Sequence, residues 1–228
     1  MTANTIEFKC YDPGATELYP PVPASKIIPD WYKQIPNTIQ HGTEKHDVPT
    51  IKRCMPVLDY MTTGYVIRHA YQTDFKITKE NGIQNTEFKC PQEEYIQAHP
   101  YEQCPVHMNG SKHNYLKFSQ PWLVKTPPGY SCMFFQPHYN LNEDYVLFPS
   151  VVDTDKHDDS VNFVGYAKRD FVVNPGDPMV IVFPFKREDW QMKITQEDYL
   201  GKTVYAHYIK KVWHGTYARL FRSKKNYR

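Results

Sequence analysis

Short runs of β-branched and aromatic residues, each stopped within a few positions by Pro or Gly, limit what this chain can fold into. Trp122-Leu-Val-Lys-Thr runs into Pro127-Pro-Gly, and Tyr130-Ser-Cys-Met-Phe-Phe-Gln stops at Pro137. The pattern returns in Val146-Leu-Phe-Pro-Ser-Val-Val, in Val161-Asn-Phe-Val-Gly-Tyr and in Phe171-Val-Val. After the turn Asn174-Pro-Gly-Asp it closes with Met179-Val-Ile-Val-Phe. Proline cannot donate to a sheet ladder and glycine weakens one, so such runs are strands a few residues long with a turn after each. Many short strands at regular spacing predict a mainly β fold, an antiparallel jelly-roll or β-clip-like sandwich. Earlier in the chain, Asn81-Gly between Phe75-Lys-Ile-Thr and Thr86-Glu-Phe-Lys predicts a tight hairpin. The run Met55-Pro-Val-Leu-Asp-Tyr-Met, followed by Thr62-Thr-Gly and Tyr65-Val-Ile-Arg-His-Ala-Tyr, reads as another.

The two ends differ from this pattern. Seven of the 19 prolines fall in the first 50 residues, which predicts an extended arm over 1–50, with one short helical turn around Ile27, Ile28, Trp31, Tyr32 and Ile35. The β domain then covers 51–196. Tyr205, Tyr208, Ile209, Val212, Trp213, Tyr217 and Leu220 recur at helical spacing, predicting an amphipathic C-terminal helix and basic tail over 197–228. Together these are expected to form one globular unit. Eighteen tyrosines, 12 phenylalanines and four tryptophans provide the large buried area that a modest aliphatic content does not.

Composition excludes some classes. No apolar run of about 18 residues exists, so no membrane span is expected. The N-terminus lacks the basic and apolar regions of a signal peptide. Five cysteines without regular spacing argue against a disulfide framework and for a reducing compartment. A net charge of +2 predicts no general attraction to nucleic acid, except through the tail, where Arg219, Arg222, Lys224, Lys225 and Arg228 occur with no acid between them.

Two polar constellations are candidate sites. Asp153, Asp155, Asp158 and Asp159 crowd around His157. Carboxylates at alternate positions face one side of a strand, so Asp153 and Asp155 can share a divalent metal, and His157 with Asp159 matches half of an iron facial triad. The alternative is a solvated Asp-rich turn. Cys90, His99, Cys104 and His107, with His113, gather thiols and imidazoles in one loop, and the two-residue gap of Cys104-Pro-Val-His107 suits zinc. Here the alternative is a loop whose polar residues merely cluster. Lys168, Arg169, Lys186 and Arg187 offer a patch for an anionic ligand, or ordinary surface charge.

Several segments, in order, resemble an uncharacterised family of tailed-phage and bacterial proteins, cyanobacterial phages included. They are Pro23-Ala-Ser-Lys-Ile-Ile-Pro-Asp-Trp, Cys54-Met-Pro-Val-Leu-Asp with Gly64-Tyr-Val-Ile, Lys125-Thr-Pro-Pro-Gly-Tyr-Ser, Val152-Asp-Thr-Asp and Pro175-Gly-Asp-Pro-Met-Val-Ile-Val-Phe-Pro-Phe-Lys-Arg. The resemblance implies a phage or bacterial origin and carries no activity. Pro128-Gly-Tyr, Val151-Val-Asp-Thr-Asp and Phe171-Val-Val-Asn-Pro-Gly-Asp-Pro-Met are also similar to the core of the dUTPase and dCTP-deaminase β-clip proteins. That likeness implies that Asp153 holds a sugar hydroxyl and activates water, with Asp155 beside it. This sequence departs from it after the turn, where Lys156-His-Asp stands in place of Tyr-Arg-Gly, and it lacks the Arg-Ser-Gly phosphate segment and the Gly-rich C-terminal motif.

The functional expectation is a phage virion or assembly protein (a decoration, neck or tail component) with protein partners or a homo-oligomeric state, in the virion or host cytoplasm. The alternatives are a nucleotide-processing or nucleotide-binding enzyme with Asp153 as base, and a metal-dependent oxygenase or zinc-binding protein. Whether the chain is an enzyme stays open at the level of sequence.

Overall fold

A computed structural model of the chain describes residues 4–42, 47–103, 112–196, 217–223 and 225–228. The fold is mainly β, built from several antiparallel sheets and consistent with a sandwich. By their internal contacts the residues group into two compact units, one of 1–27 with 64–187 and the other of 28–63 with 188–228. The proline-rich first 50 residues are therefore shared between the two.

The strands, in chain order, are β1 (Glu7–Cys10), β2 (Val22–Pro23), β3 (Thr38–Ile39), β4 (Val48–Pro49), β5 (Tyr65–Arg68), β6 (Thr73–Glu80), β7 (Ile83–Lys89), β8 (Ile96–His99) and β9 (Lys112–His113). They continue with β10 (Tyr115–Phe118), β11 (Trp122–Lys125), β12 (Tyr130–Phe135), β13 (Tyr145–Leu147), β14 (Ser150–Val152), β15 (Phe163–Ala167), β16 (Phe171–Val173) and β17 (Pro178–Lys186). In the larger unit one sheet runs β14-β12-β17-β5-β2, a second β13-β15-β10-β8, a third β16-β6-β7-β9, and β1 pairs with β11. Of these pairings only β7 with β9 is parallel. The hairpin expected at Asn81-Gly82 is present. Both residues have positive φ, +51° and +76°, as a primed two-residue turn requires, and Glu80 faces Ile83 across it.

The core of this unit lies where the sheets face each other. Phe134 of β12 meets Phe163 of β15 at 5.5 Å between ring centres, and both are almost wholly buried. Phe75 and Phe171, partners across β6 and β16, stack at 4.3 Å. Tyr145 stacks in turn on Phe171 and on Phe118 of β10. Each such ring contributes about 1.5–3 kcal/mol by leaving water, so a few aromatics replace many aliphatic residues.

Three expectations are corrected here. The proline-rich start is not uniformly extended, since α1 (Pro13–Leu18) forms within it. Proline at the first helical position gives up an N–H that would have no partner anyway, and the Asp12 carboxylate accepts from the Gly14 and Ala15 N–H groups. The run Met55–Met61 is a helix, α3, rather than a strand. Pro56 again falls in the first turn, and the Thr62 hydroxyl donates to the Leu58 carbonyl. The turn expected around Trp31 and Tyr32 is the short helix α2 (Asp30–Gln34). Residues 91–114, expected as one irregular loop, contain β8 and β9.

The smaller unit buries little among its described residues: Tyr32, Asp59 and Met61. Asp59 on α3 is 6% exposed and accepts hydrogen bonds from Arg222 and Lys225 at 2.7–2.9 Å. Two cations of the basic tail are thus held by one carboxylate. Of the expected C-terminal helix, residues 197–216 lie outside the described residues, and Tyr217–Phe221 form a single π-helical turn.

Candidate functional site

The Asp-rich turn follows directly from the end of β14, the edge of the five-stranded sheet. Backbone hydrogen bonds from the Lys156 and His157 N–H groups to the Asp153 carbonyl close it. Beneath it Thr154 is fully buried, with its hydroxyl 2.7 Å from that of Thr126 and within 3.3 Å of the Cys132 sulfur. This apolar-walled threonine pair fixes the turn to β12 and to the loop after β11.

Asp153 and Asp155 lie in the turn beyond the end of β14, not on a strand, and the cation they share is the guanidinium of Arg187. Arg187 donates to Asp155 in a two-pronged ion pair, and Nη1 lies 3.2 Å from Asp153 Oδ1. Asp155 Oδ2 also accepts from the Gly129 N–H at 2.9 Å. The Asp155 side chain is only 6% exposed. The Arg187 hydrogen bonds, followed by the Gly129 amide, hold its carboxyl well below the ordinary range. Three of its roughly four lone-pair sites are thus taken by donors inside the chain.

Asp153 is different. Its Oδ1 accepts the Ser131 hydroxyl at 2.7 Å, and its side chain is 53% exposed. Arg187 also donates to Ser131 Oγ and to the Tyr130 carbonyl, which fixes the guanidinium beside Asp153. His157 is half-buried, and its carbonyl accepts from the Lys125 ammonium, which also pairs with Asp158. The turn is therefore an acidic loop clamped by Arg187 on one side and Lys125 on the other, with Asp153 half exposed beside a hydroxyl and a fixed cation, and exposed Asp159 accepting the Ser160 N–H.

The second constellation is only partly placed, because Cys104 and His107 lie outside the described residues. Cys90 packs half-buried against the core, close enough to Tyr71 and Tyr95 to influence both phenols. His99 ends β8, its Nδ1 is 2.5 Å from Gln103 Oε1, and its buried Nε2 has no hydrogen-bond partner among the described residues. Among the described residues, no three His, Cys, Asp or Glu side chains converge as metal ligands. Of the anionic-ligand patch, Arg187 is engaged as above and Arg169 pairs with Asp144 and Glu143.

Two features went unread in the sequence. His69 is fully buried, with Nε2 2.9 Å from the Tyr145 hydroxyl and Nδ1 3.4 Å from that of Tyr95, and burial lowers its pKa to about 3. A histidine following a strand gives no local sign of this, since its partners come from 26 and 76 residues away. Trp190, Met192 and Ile194 were the second, and their alternation with polar residues was a visible signal. A cleft of about 260 Å³ lies elsewhere, against Tyr145, Asp144, Arg169 and Asp177, and includes none of the residues singled out at the acidic turn. No helix among the described residues is long and apolar enough to cross a membrane.

A scan against protein-family models finds no match to this chain. A search of curated proteins finds no match either.

Proposed function

We propose that the chain is a structural component of a phage particle or of its assembly, working in the virion or the host cytoplasm through protein contacts. The observation that carries this reading is the placement of apolar surface. Trp190, Met192 and Ile194 are 85%, 87% and 85% exposed in one continuous stretch. Large side chains held in water on one segment are what an assembling protein offers a neighbour. The densest charged clusters, meanwhile, are engaged inside the chain, Asp155 with Arg187 and Asp59 with Arg222 and Lys225. The order of phage-like segments along the sequence supports the same reading.

The test is mass spectrometry of purified particles, with copy number measured against the major capsid protein. A fixed stoichiometry is expected, and absence from particles overturns the role.

One observation favours a second reading, a nucleotide-binding or nucleotide-processing protein of β-clip type. Asp153 is half exposed beside Ser131 and the fixed Arg187 guanidinium, as a base beside an anion-binding cation would be. Incubation with a panel of nucleoside triphosphates tests it, with Asp153→Asn as control. Turnover that persists unchanged in that variant removes Asp153 as base.

A further inference from the structure

From Asp189 to Gln196 the chain runs without helix or strand, and its backbone makes no hydrogen bond to the described residues. Along it Trp190, Met192 and Ile194 alternate with Gln191, Lys193 and Thr195. Period-two alternation places the three apolar side chains on one face of extended backbone and the polar ones on the other. One exposed apolar residue needs no explanation, but three at alternate positions of a segment whose N–H and C=O groups have no partner among the described residues offer both things a β partner uses.

The geometry points to antiparallel pairing of this segment with the same segment of a second copy, about a two-fold axis at Met192. In a two-fold contact each residue meets its counterpart reciprocally, so the sequence must complement its own reverse. With the axis at Met192, Trp190 lies opposite the neighbouring Ile194, and the two Met192 side chains meet between those pairs. On the other face Gln191 lies opposite Lys193 and Asp189 opposite Thr195, with Lys193 diagonal to both Asp189 and Lys193 of the other strand. Aromatic, β-branched and opposite-charge neighbours are the pairs that stabilise a ladder.

Other registers fit less well. An axis at Gln191 sets Ile194 against Glu188, and one at Lys193 sets two lysines together and Trp190 against Gln196. An axis between residues puts apolar side chains opposite polar ones throughout. The segment begins three residues after the end of β17, which tethers it to the five-stranded sheet of its own chain. A two-stranded ribbon is marginal alone, so pairing is expected to be weak in dilute solution and to strengthen where copies are held close together.

This inference rests on the reading of the chain as an assembly protein, and its test is separate. The intact chain, 26.9 kDa, is measured by light scattering up to about 100 µM, where weak and transient contacts are populated. A concentration-dependent dimer is expected, lost or weakened at least tenfold in Trp190→Asp, whose side chain is too exposed for the change to disturb folding. Under mild oxidation Met192→Cys is expected to form a covalent dimer well above the wild-type background, whereas Lys193→Cys is not. A monomer at the highest concentration overturns the pairing, as does a dimer indifferent to Trp190→Asp, or equal cross-linking of the two cysteine variants. A monomer found stoichiometrically in particles overturns the pairing alone, and a dimer absent from particles overturns the assembly role alone.

Discussion

Asp155 and His69 are both titratable and both well removed from water, and their neighbours push them toward opposite charge states. Asp155 is held ionised by the Arg187 fork and the Gly129 amide, so its folded pKa lies below the unfolded value of about 3.9. A depressed carboxylate contributes stability that is present above the unfolded value and is lost as pH falls through the folded one. Asp155→Asn is therefore expected to lower Tm by a few degrees at pH 7, with the gap from wild type closing below about pH 4. A pH-independent gap in thermal melts would mean the ion pair contributes nothing through charge. His69 is held neutral by burial, with a folded pKa of about 3. Below about pH 6.5 the unfolded chain takes up a proton that the folded chain refuses, so stability falls as pH falls. The contribution is about 1.4 kcal/mol per pH unit from pH 6.5 down towards pH 3. In His69→Gln, urea melts between pH 6.5 and 4.5 are expected to show a shallower loss than wild type. An unchanged slope there would show that His69 is not the group responsible.

Among the elements, those set by nearby residues were legible and those set by distant ones were not. Asn81-Gly82 states its turn locally, because few other residues tolerate positive φ at two successive positions. The short strands after Trp122 were equally readable, since each carries its own β-branched or aromatic run and its own Pro or Gly stop. Met55–Met61 was misread because an apolar run of that length suits a strand or a short helix, and Pro56, compatible with a first helical turn, was the deciding local cue. At the acidic turn, Asp153 and Asp155 follow the end of β14 in a turn, so strand alternation does not describe them, and Arg187 comes from 32 residues beyond Asp155, which no spacing rule announces. Gly165 is the same kind of case. A side chain there would bring Cβ within 2.1 Å of the Val146 carbonyl and 2.9 Å of Leu147, on the strand β13 that pairs with β15. Gly165→Ala is thus expected to push β13 off its partner and cost about 1–3 kcal/mol, the range for overpacking. Gly129→Ala meets no atom within 4 Å and is expected to cost only the strain of its positive φ. Equal losses in the two variants by chemical denaturation would argue against close β13–β15 contact.

At the scale of the whole molecule, burial among the described residues is unevenly divided between the two units, and the division predicts how the chain unfolds. The large aromatic core belongs to the unit of 1–27 with 64–187, whereas the described residues of the other unit bury only Tyr32, Asp59 and Met61. Hydrophobic burial is the main favourable term in folding, so two units this unequal should not melt together. Trp122 is buried in the larger unit, and Trp31 and Trp190 belong to the smaller one. Trp190 is already exposed in the folded chain, so the fluorescence change on unfolding reports Trp31 of the smaller unit together with buried Trp122 of the larger, whereas far-UV circular dichroism reports mainly the strands of the larger. Urea unfolding followed both ways is expected to give curves that do not coincide, with fluorescence changing first. Within the smaller unit, Asp59 joins α3 to the C-terminal tail through Arg222 and Lys225, which holds the carboxyl below its ordinary range. Removing that charge in Asp59→Asn leaves two cations with no counter-charge at this point, so the early fluorescence change should move to lower urea. The later dichroism transition should stay where it is. Trypsin should also cut at Arg222 and Lys225 sooner, since local opening exposes the backbone to protease. Coincident wild-type curves would show that the two units fold as one cooperative body, and in that case Asp59→Asn should shift both signals equally.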